Sequence, residues 1–222
     1  MSRHHIETIK CSKCGNVSDF IVWESVNADL DPELKEKIYK GELFLFTCPE
    51  CGDQIFRIYN FLYHDMKSKT MIFFVPIDSE VTKFDTSDLS TEFLEYYSLR
   101  VVYGYVNLLE KIHIIDSGLK DIAIERMKYM ITHFSNPEIL QRNRNLHYAG
   151  WKPANPAVES PNKFGEIFFA FNDSEGNDAT ILFDMEMYYE QEKAVEIDPR
   201  MRVEGWQCID QEWMDTKLRR IE

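Results

Sequence analysis

The 222-residue chain has no long hydrophobic run. Its longest purely apolar stretch is about six residues around Met71–Val75, far short of the ~20 that a membrane-spanning helix needs. No membrane association is therefore expected. The opening MSRHHIETIK lacks the apolar core of a secretion signal, which makes the cytosol the expected compartment. A basic stripe is missing too: the formal charge is −13, made up of −2 over residues 1–75, −3 over 76–160 and −8 over 161–222. Phosphate backbones are bound by Lys and Arg that displace counterions, so nucleic acid is not an expected partner. There is no glycine-rich phosphate loop, dinucleotide fingerprint, zincin helix or Gly-x-Ser-x-Gly elbow, and hence no positive case for an enzyme. Repeats and low-complexity tracts are also lacking. With 44% hydrophobic and 28% charged residues, the chain has enough apolar material to bury a core.

Cysteine is scarce, and its placement is informative. The five are Cys11, Cys14, Cys48, Cys51 and Cys208. A reducing cytosol disfavours a disulfide framework, so paired Cys-x-x-Cys segments point to metal or redox chemistry.

The segments around them alternate between strand and turn. Residues 17–27 (VSDFIVWESVN) are β-branched and aromatic and read as a strand. DPELKEKIYKG at 31–41 reads as a short helix, with Asp31 as N-cap, Pro32 at the first position and Gly41 as the stop. LFLFT (43–47) and QIFRIYNF (54–61) are expected as strands flanking the CPECG turn, and TMIFFVP (70–76) as another. From Leu99 the period changes. Leu99, Val102, Val106 and Leu109 share one helical face, and after the DSG break at 116–118 so do Leu119, Ile122, Ala123, Met127, Met130, Ile131 and Phe134. Two helices joined by a short Gly-containing turn make an αα-hairpin. The proline-rich 151–165 reads as a linker or loop, EIFFAF and ATILFD as a hairpin around NDSEGND, and 209–219 as a short helix.

The cysteine pattern is C-x2-C-x33-C-x2-C, with Gly15 and Gly52 each following a second cysteine. A Zn²⁺ ion takes four thiolates at tetrahedral corners, and each Cys-x-x-Cys bend supplies two. The glycine lets the backbone adopt φ > 0 and turn back into a strand. Two such knuckles are the hallmark of a zinc ribbon, with Cys11, Cys14, Cys48 and Cys51 as metal ligands. The long spacer encodes its own strand and helix and so counts as an insertion. The competing reading, a thiol–disulfide exchanger, needs a low-pKa thiol at a helix N-terminus, whereas both pairs here lie in strand contexts. Buried thiols without metal would leave the matched turns unexplained. A catalytic zinc keeps an open position, and the His-x-Glu at 5–7 is not followed by the Pro-Cys that deaminases require. The sequence thus predicts one structural Zn²⁺.

CSKCG, CPECG, the spacer DPELKEKIYKGELFLFTCPECG, LYHDM and EKIHIIDSGLKD together resemble the CpXC family, a largely bacterial and archaeal group named for its paired cysteine motifs. The resemblance covers residues 6 to about 135 and, more faintly, CIDQEW in the tail. Ser12 stands where the motif has proline, which softens that turn and leaves both thiols in place. The resemblance implies a zinc-ribbon-like module and names no substrate or catalytic residue.

Several other residues have both a functional and a plainer reading. Tyr63, His64 and Asp65 end a strand; they could form a ligand or partner contact, or simply a strand-terminating turn with a local hydrogen bond. His113 and His133 read as helix-face residues, and His4 and His5 as part of a mobile terminus. Phe93, Tyr96, Tyr97, Tyr103 and Tyr105 read as core or interface, Glu190, Glu192, Glu196 and Asp198 as a solvated acidic face, and Cys208 as a small core residue.

The fold class expected is α+β. A zinc-ribbon-like β module with a short inserted helix spans residues 1–78, an αα-hairpin packed on it spans 79–150, and a small α/β portion with a proline-rich loop spans 151–222. The expected function is that of a non-enzymatic adaptor acting through protein partners, with self-association open. The alternative is an enzyme or small-molecule-binding protein with a pocket near the Tyr63–Asp65 strand end.

Overall fold

The computed structural model describes residues 1–77, 94–141, 145–154, 164–172 and 175–219. Phe93, most of the proline-rich segment (155–163) and part of the 172–178 loop (173–174) lie outside the described residues. The chain forms two compact units: Met1–Leu109 with Gly205–Gln207, and Glu110–Glu204 with Cys208–Glu222.

The first unit is built on a five-stranded sheet. Its N-terminus is the strand β1 (Arg3–Lys10), which corrects the expectation of a mobile end around His4 and His5. Alternation decides this: Ile9 turns inward while Ile6 turns out, in antiparallel register with β2 (Val17–Asn27). Ser2 is pinned as well. Its amide and hydroxyl donate to the Asp31 carboxylate at 3.1 and 2.6 Å, and its hydroxyl accepts from the Asn27 amide at 2.9 Å. Asp31 does precede α1 (Pro32–Lys40) as N-cap, but its carboxylate is spent on Ser2 and not on the helix amides. α1 buries Leu34 and Ile38 and stops at Gly41, whose φ is +73°.

A 3-10 turn at Glu42–Phe44 leads into the two-stranded hairpin of β3 (Leu45–Thr47) and β4 (Gln54–Phe56). The 3-10 turn occupies the start of what reads as one strand at 43–47. The run 54–61 also breaks: its ladder stops at Phe56, and β5 (Phe61–Asp65) belongs to the larger sheet. The interruption lets Tyr59 donate its hydroxyl to the Leu43 carbonyl at 3.1 Å and accept from the Trp23 amide at 3.2 Å. β6 (Thr70–Val75) and β7 (Ser98–Tyr103) complete the sheet in the order β1-β2-β5-β6-β7, with β2/β5 and β6/β7 parallel. Residues 98–103 are therefore a strand, not the start of a helix. Leu99, Val101 and Val102 are all buried, and a strand covered on both faces mimics helical spacing over so short a window. α2 (Tyr105–Asp116) begins only after Gly104, at φ +83°. Phe44 anchors the core, with ring contacts at 5.2–6.0 Å to Phe56, Tyr59, Phe61, Phe74 and Tyr105.

The second unit takes up the rest of α2, then α3 (Asp121–Met130), a π-helical turn (Ile131–Ser135) and α4 (Pro137–Gln141). β8 (His147–Lys152), which has no strand signal in the sequence, joins β9 (Glu166–Asn172) and β10 (Asp178–Asp184) in an antiparallel sheet ordered β10-β9-β8. α5 (Met185–Ile197) and α6 (Gln211–Leu218) follow, capped by Asp184 and Asp210. Ile114, Ile124, Met127, Ile131, Ile167, Phe169 and Tyr188 lie in one buried cluster. Phe134 does not join this stripe and is 67% exposed, because the wider π turn rotates it off the helical period. The whole is an α+β fold with a helix inserted between the two cysteine hairpins. Among the described residues no helix is long and apolar enough to cross a membrane.

Candidate metal centre

Cys11 and Cys14 lie in the turn between β1 and β2, and Cys48 and Cys51 in the turn between β3 and β4. The two turns are built alike. In the first, the Cys11 amide donates to the Asn16 carbonyl at 2.7 Å and the Gly15 amide to the Cys11 carbonyl at 2.9 Å. In the second, Cys48 donates to Asp53 at 2.8 Å and Gly52 to Cys48 at 2.9 Å. Gly15 and Gly52 carry φ of +77° and +70°, the left-handed geometry their positions require. Ser12 in place of proline leaves the first knuckle's hydrogen bonds the same as the second's.

The four sulfurs come together. All lie within 4.8 Å of one another, and Cys11–Cys51 and Cys14–Cys48 are each 3.6 Å apart. A tetrahedral Zn–S length of about 2.3 Å implies sulfur–sulfur edges of about 3.8 Å, so the donor set and its spacing fit the ion. Cys11 and Cys48 are buried, Cys51 is partly so and Cys14 is exposed. Behind them a small apolar cluster of Ile9, Phe20, Val22 and Phe46, with Ile55 and Tyr59 against it, ties the two hairpins together. Phe20 meets Phe46 and Tyr59 edge-on at 6.1 and 6.2 Å.

Electrostatics favours a cation here. The Cys51 and Glu50 amides point at the Cys48 sulfur and bring that thiol down to about 7. The Asp53 amide pulls Cys51 the same way, but burial and the neighbouring thiols outweigh it and push Cys51 up to about 12. Cys14 is likewise raised: the Asn16 amide and Cys51 pull it down, but desolvation and the Cys48 and Cys11 thiols outweigh them. A thiolate forms readily at Cys48 and is resisted at Cys14 and Cys51, as expected where thiols crowd one space. The arrangement can coordinate a metal ion.

The other candidates are dispersed. On β5, Tyr63 is fully buried, while Asp65 accepts the Ser68 amide at 2.8 Å and so shapes the β5–β6 turn. His64 lies between Asn27 Nδ2 at 3.4 Å and Tyr97 Oη at 3.3 Å, and burial lowers its pKa. Adjacent strand residues face opposite sides, so Asp65 and His64 do not form a dyad. Tyr96 is exposed beside Lys69, and Tyr105 packs on Phe44. His113 lies beside Tyr148, and His133 stacks on Tyr129 at 3.9 Å. Glu192 and Glu196 pair with Lys120, Asp198 with Arg200, and Cys208 donates to Asp210.

One polar centre escaped the sequence reading. In the second unit Lys128 Nζ lies 3.0 Å from both Glu110 and Glu125, and Lys111 Nζ lies 3.3 Å from Asp121 and 3.7 Å from Glu125. Glu110 also accepts the Tyr148 amide at 2.5 Å and lies 3.2 Å from His147 Nδ1, while Gln211 donates to Glu125 at 2.8 Å. Glu110, Lys111, Glu125 and Lys128 are all buried. The available signal was the Glu125–Lys128 spacing of three within an apolar stripe.

No curated protein and no solved structure matches the chain. A family model described as CpXC protein matches residues 9–128, a span that holds both knuckles, the inserted helix and more than half of the 222 residues. The chain belongs to the CpXC family.

Proposed function

We propose that Cys11, Cys14, Cys48 and Cys51 hold one structural Zn²⁺, and that the protein is a non-enzymatic adaptor acting through protein contacts. The carrying observation is the four-sulfur cage itself, formed by two matched knuckles. Four protein thiolates fill a tetrahedral shell and leave no position for a reacting water, which supports a structural ion over a catalytic one. The ion would lock the β1–β2 and β3–β4 turns together and present their surfaces in fixed register. The runner-up, a small-molecule site at the end of β5, would have to work through His64, because Asp65 is engaged in its turn.

Elemental analysis of untagged protein tests the metal directly: about one zinc per chain is expected, falling to a small fraction in Cys51→Ser. Metal-free protein, or a Cys-x-x-Cys disulfide in each knuckle, would end this reading. Affinity capture from the native host separates the two roles. A stoichiometric protein partner supports the adaptor, and a copurifying metabolite supports the runner-up.

A further inference from the structure

Among the described residues, β1 has a ladder partner on one side only, so its other edge is an open row of backbone donors and acceptors. Six of its eight residues are exposed. Natural edges are usually blunted by proline, by charged side chains, by bulges or by great shortness. This one is eight residues long and has no proline; it carries Arg3, Glu7 and Lys10 and a register slip between Arg3 and His4, which leaves His4–Ile9 as an unbroken ladder segment. Its outer face is also apolar at the centre: Ile6 is 61% exposed and lies directly opposite Ile21, itself 47% exposed. At the flanks, His4 packs on Trp23 at 4.8 Å and Val17 is exposed opposite Lys10.

We infer that a second copy of this chain pairs with the β1 edge, antiparallel and two-fold symmetric, with Ile6 opposite Ile6 of the second copy. Symmetry and facing residues select the register, and its self-complementarity is what suits a second copy of this chain. A two-fold axis perpendicular to the sheet keeps the faces continuous only if some residue opposes its own counterpart. Centring on Glu7 sets glutamate against glutamate, and centring on His5 sets histidine against histidine and shortens the ladder. Centring on Ile6 sets His5 against Glu7 twice, His4 against Thr8 twice and Arg3 against Ile9 twice, with no like charges facing. The same register lines up Ile21, Ile6, Ile6 and Ile21 in one row across four strands, at the close spacing where cross-strand apolar pairs act. Within one chain His5 already lies 3.3 Å from Glu7 and Arg57 2.8 Å from Glu7, so these groups are placed to exchange or share partners on pairing. The inference is separate from the adaptor reading, since a dimer without any other partner would leave it intact.

Sedimentation equilibrium on the full chain tests it. A single paired strand is a small interface, with a Kd on the order of 10 µM, so at about 100 µM most chains should be paired. Ile6→Lys and Glu7→Lys should each return the single-chain mass, with unchanged circular dichroism. The double swap His5→Glu with Glu7→Lys should restore pairing. A second readout needs no variant: amide exchange in Arg3–Ile9 should slow as concentration rises, while exchange elsewhere stays constant. A wild-type mass of one chain at that concentration would overturn the proposal. So would a dimer that tolerates Ile6→Lys, or β1 exchange indifferent to concentration.

Discussion

Gly52 sits at φ +70° with no atom within 4 Å of where a Cβ would project, and Gly15 is alike at +77°. A side chain at either position therefore meets only the cost of the left-handed backbone, about 1–2 kcal/mol for an ordinary residue. Gly52→Ala should weaken zinc retention about five- to thirtyfold in chelator competition, and Gly52→Asn by less. Equal losses for the two would show that the glycine acts through something other than φ. The buried ion network of the second unit obeys a different rule. Removing Lys128 strands Glu110 and Glu125 in the interior, so Lys128→Met should cost about 3–5 kcal/mol by urea unfolding. Burial opposes the charge on Glu110, yet Lys128, His147 and the Tyr148 amide overcome it and hold this carboxyl at about 2, below its ordinary 4.5. A depressed carboxylate stabilises the fold above its ordinary value and loses that contribution as the pH falls towards the folded one. Stability should thus drop between pH 4.5 and about 2, and Glu110→Gln, weaker at pH 7, should flatten that drop. A decline equally steep in the variant would assign it to other carboxylates. The cysteines were legible because each pair and its glycine are local in sequence. The network was not, because its members come from positions 110 to 211 and meet only in space.

At the scale of elements, the four-cysteine cluster sits on two hairpins that share a small core. β3 and β4 have three residues each, too little to hold a ladder by themselves in water. Structural zinc contributes on the order of 10 kcal/mol or more of binding free energy, and in such modules that becomes folding free energy. Chelation should therefore speed amide exchange at Leu45–Thr47, Gln54–Phe56 and the cysteine ends of β1 and β2. α3, inside the cluster of Ile124, Met127 and Ile131, should stay protected. Unchanged protection in the two hairpins would mean that the ion is not what holds them. Element types could be read wherever a strong local signal stood alone: Pro32 and Gly41 bound α1, and β-branched and aromatic residues mark β2. They were misread where two states share a pattern. Leu99–Val102 fits a helix face or a strand covered on both sides, and the choice was made by β6 lying alongside.

The whole molecule carries −13, with the largest share over its last 62 residues. Such a field repels polyanions at a distance. Duplex DNA and single-stranded RNA should bind no more tightly than about 10⁻⁴ M at physiological salt, measured by fluorescence titration. Micromolar affinity there would reveal a local basic patch that overrides the global field. By itself the sequence determined which four cysteines gather, the glycines that turn each knuckle, the inserted helix and the α+β class. Each of these rests on chemistry or backbone geometry within a few residues. Only the tertiary structure decided that the N-terminus is an edge strand, that 54–61 splits between two sheets, and that Glu110 and Lys111 lock with Asp121, Glu125 and Lys128 inside the second unit. Those outcomes depend on which distant backbone supplies hydrogen bonds and which distant charge compensates burial, and beyond the Glu125–Lys128 spacing local sequence holds no record of either.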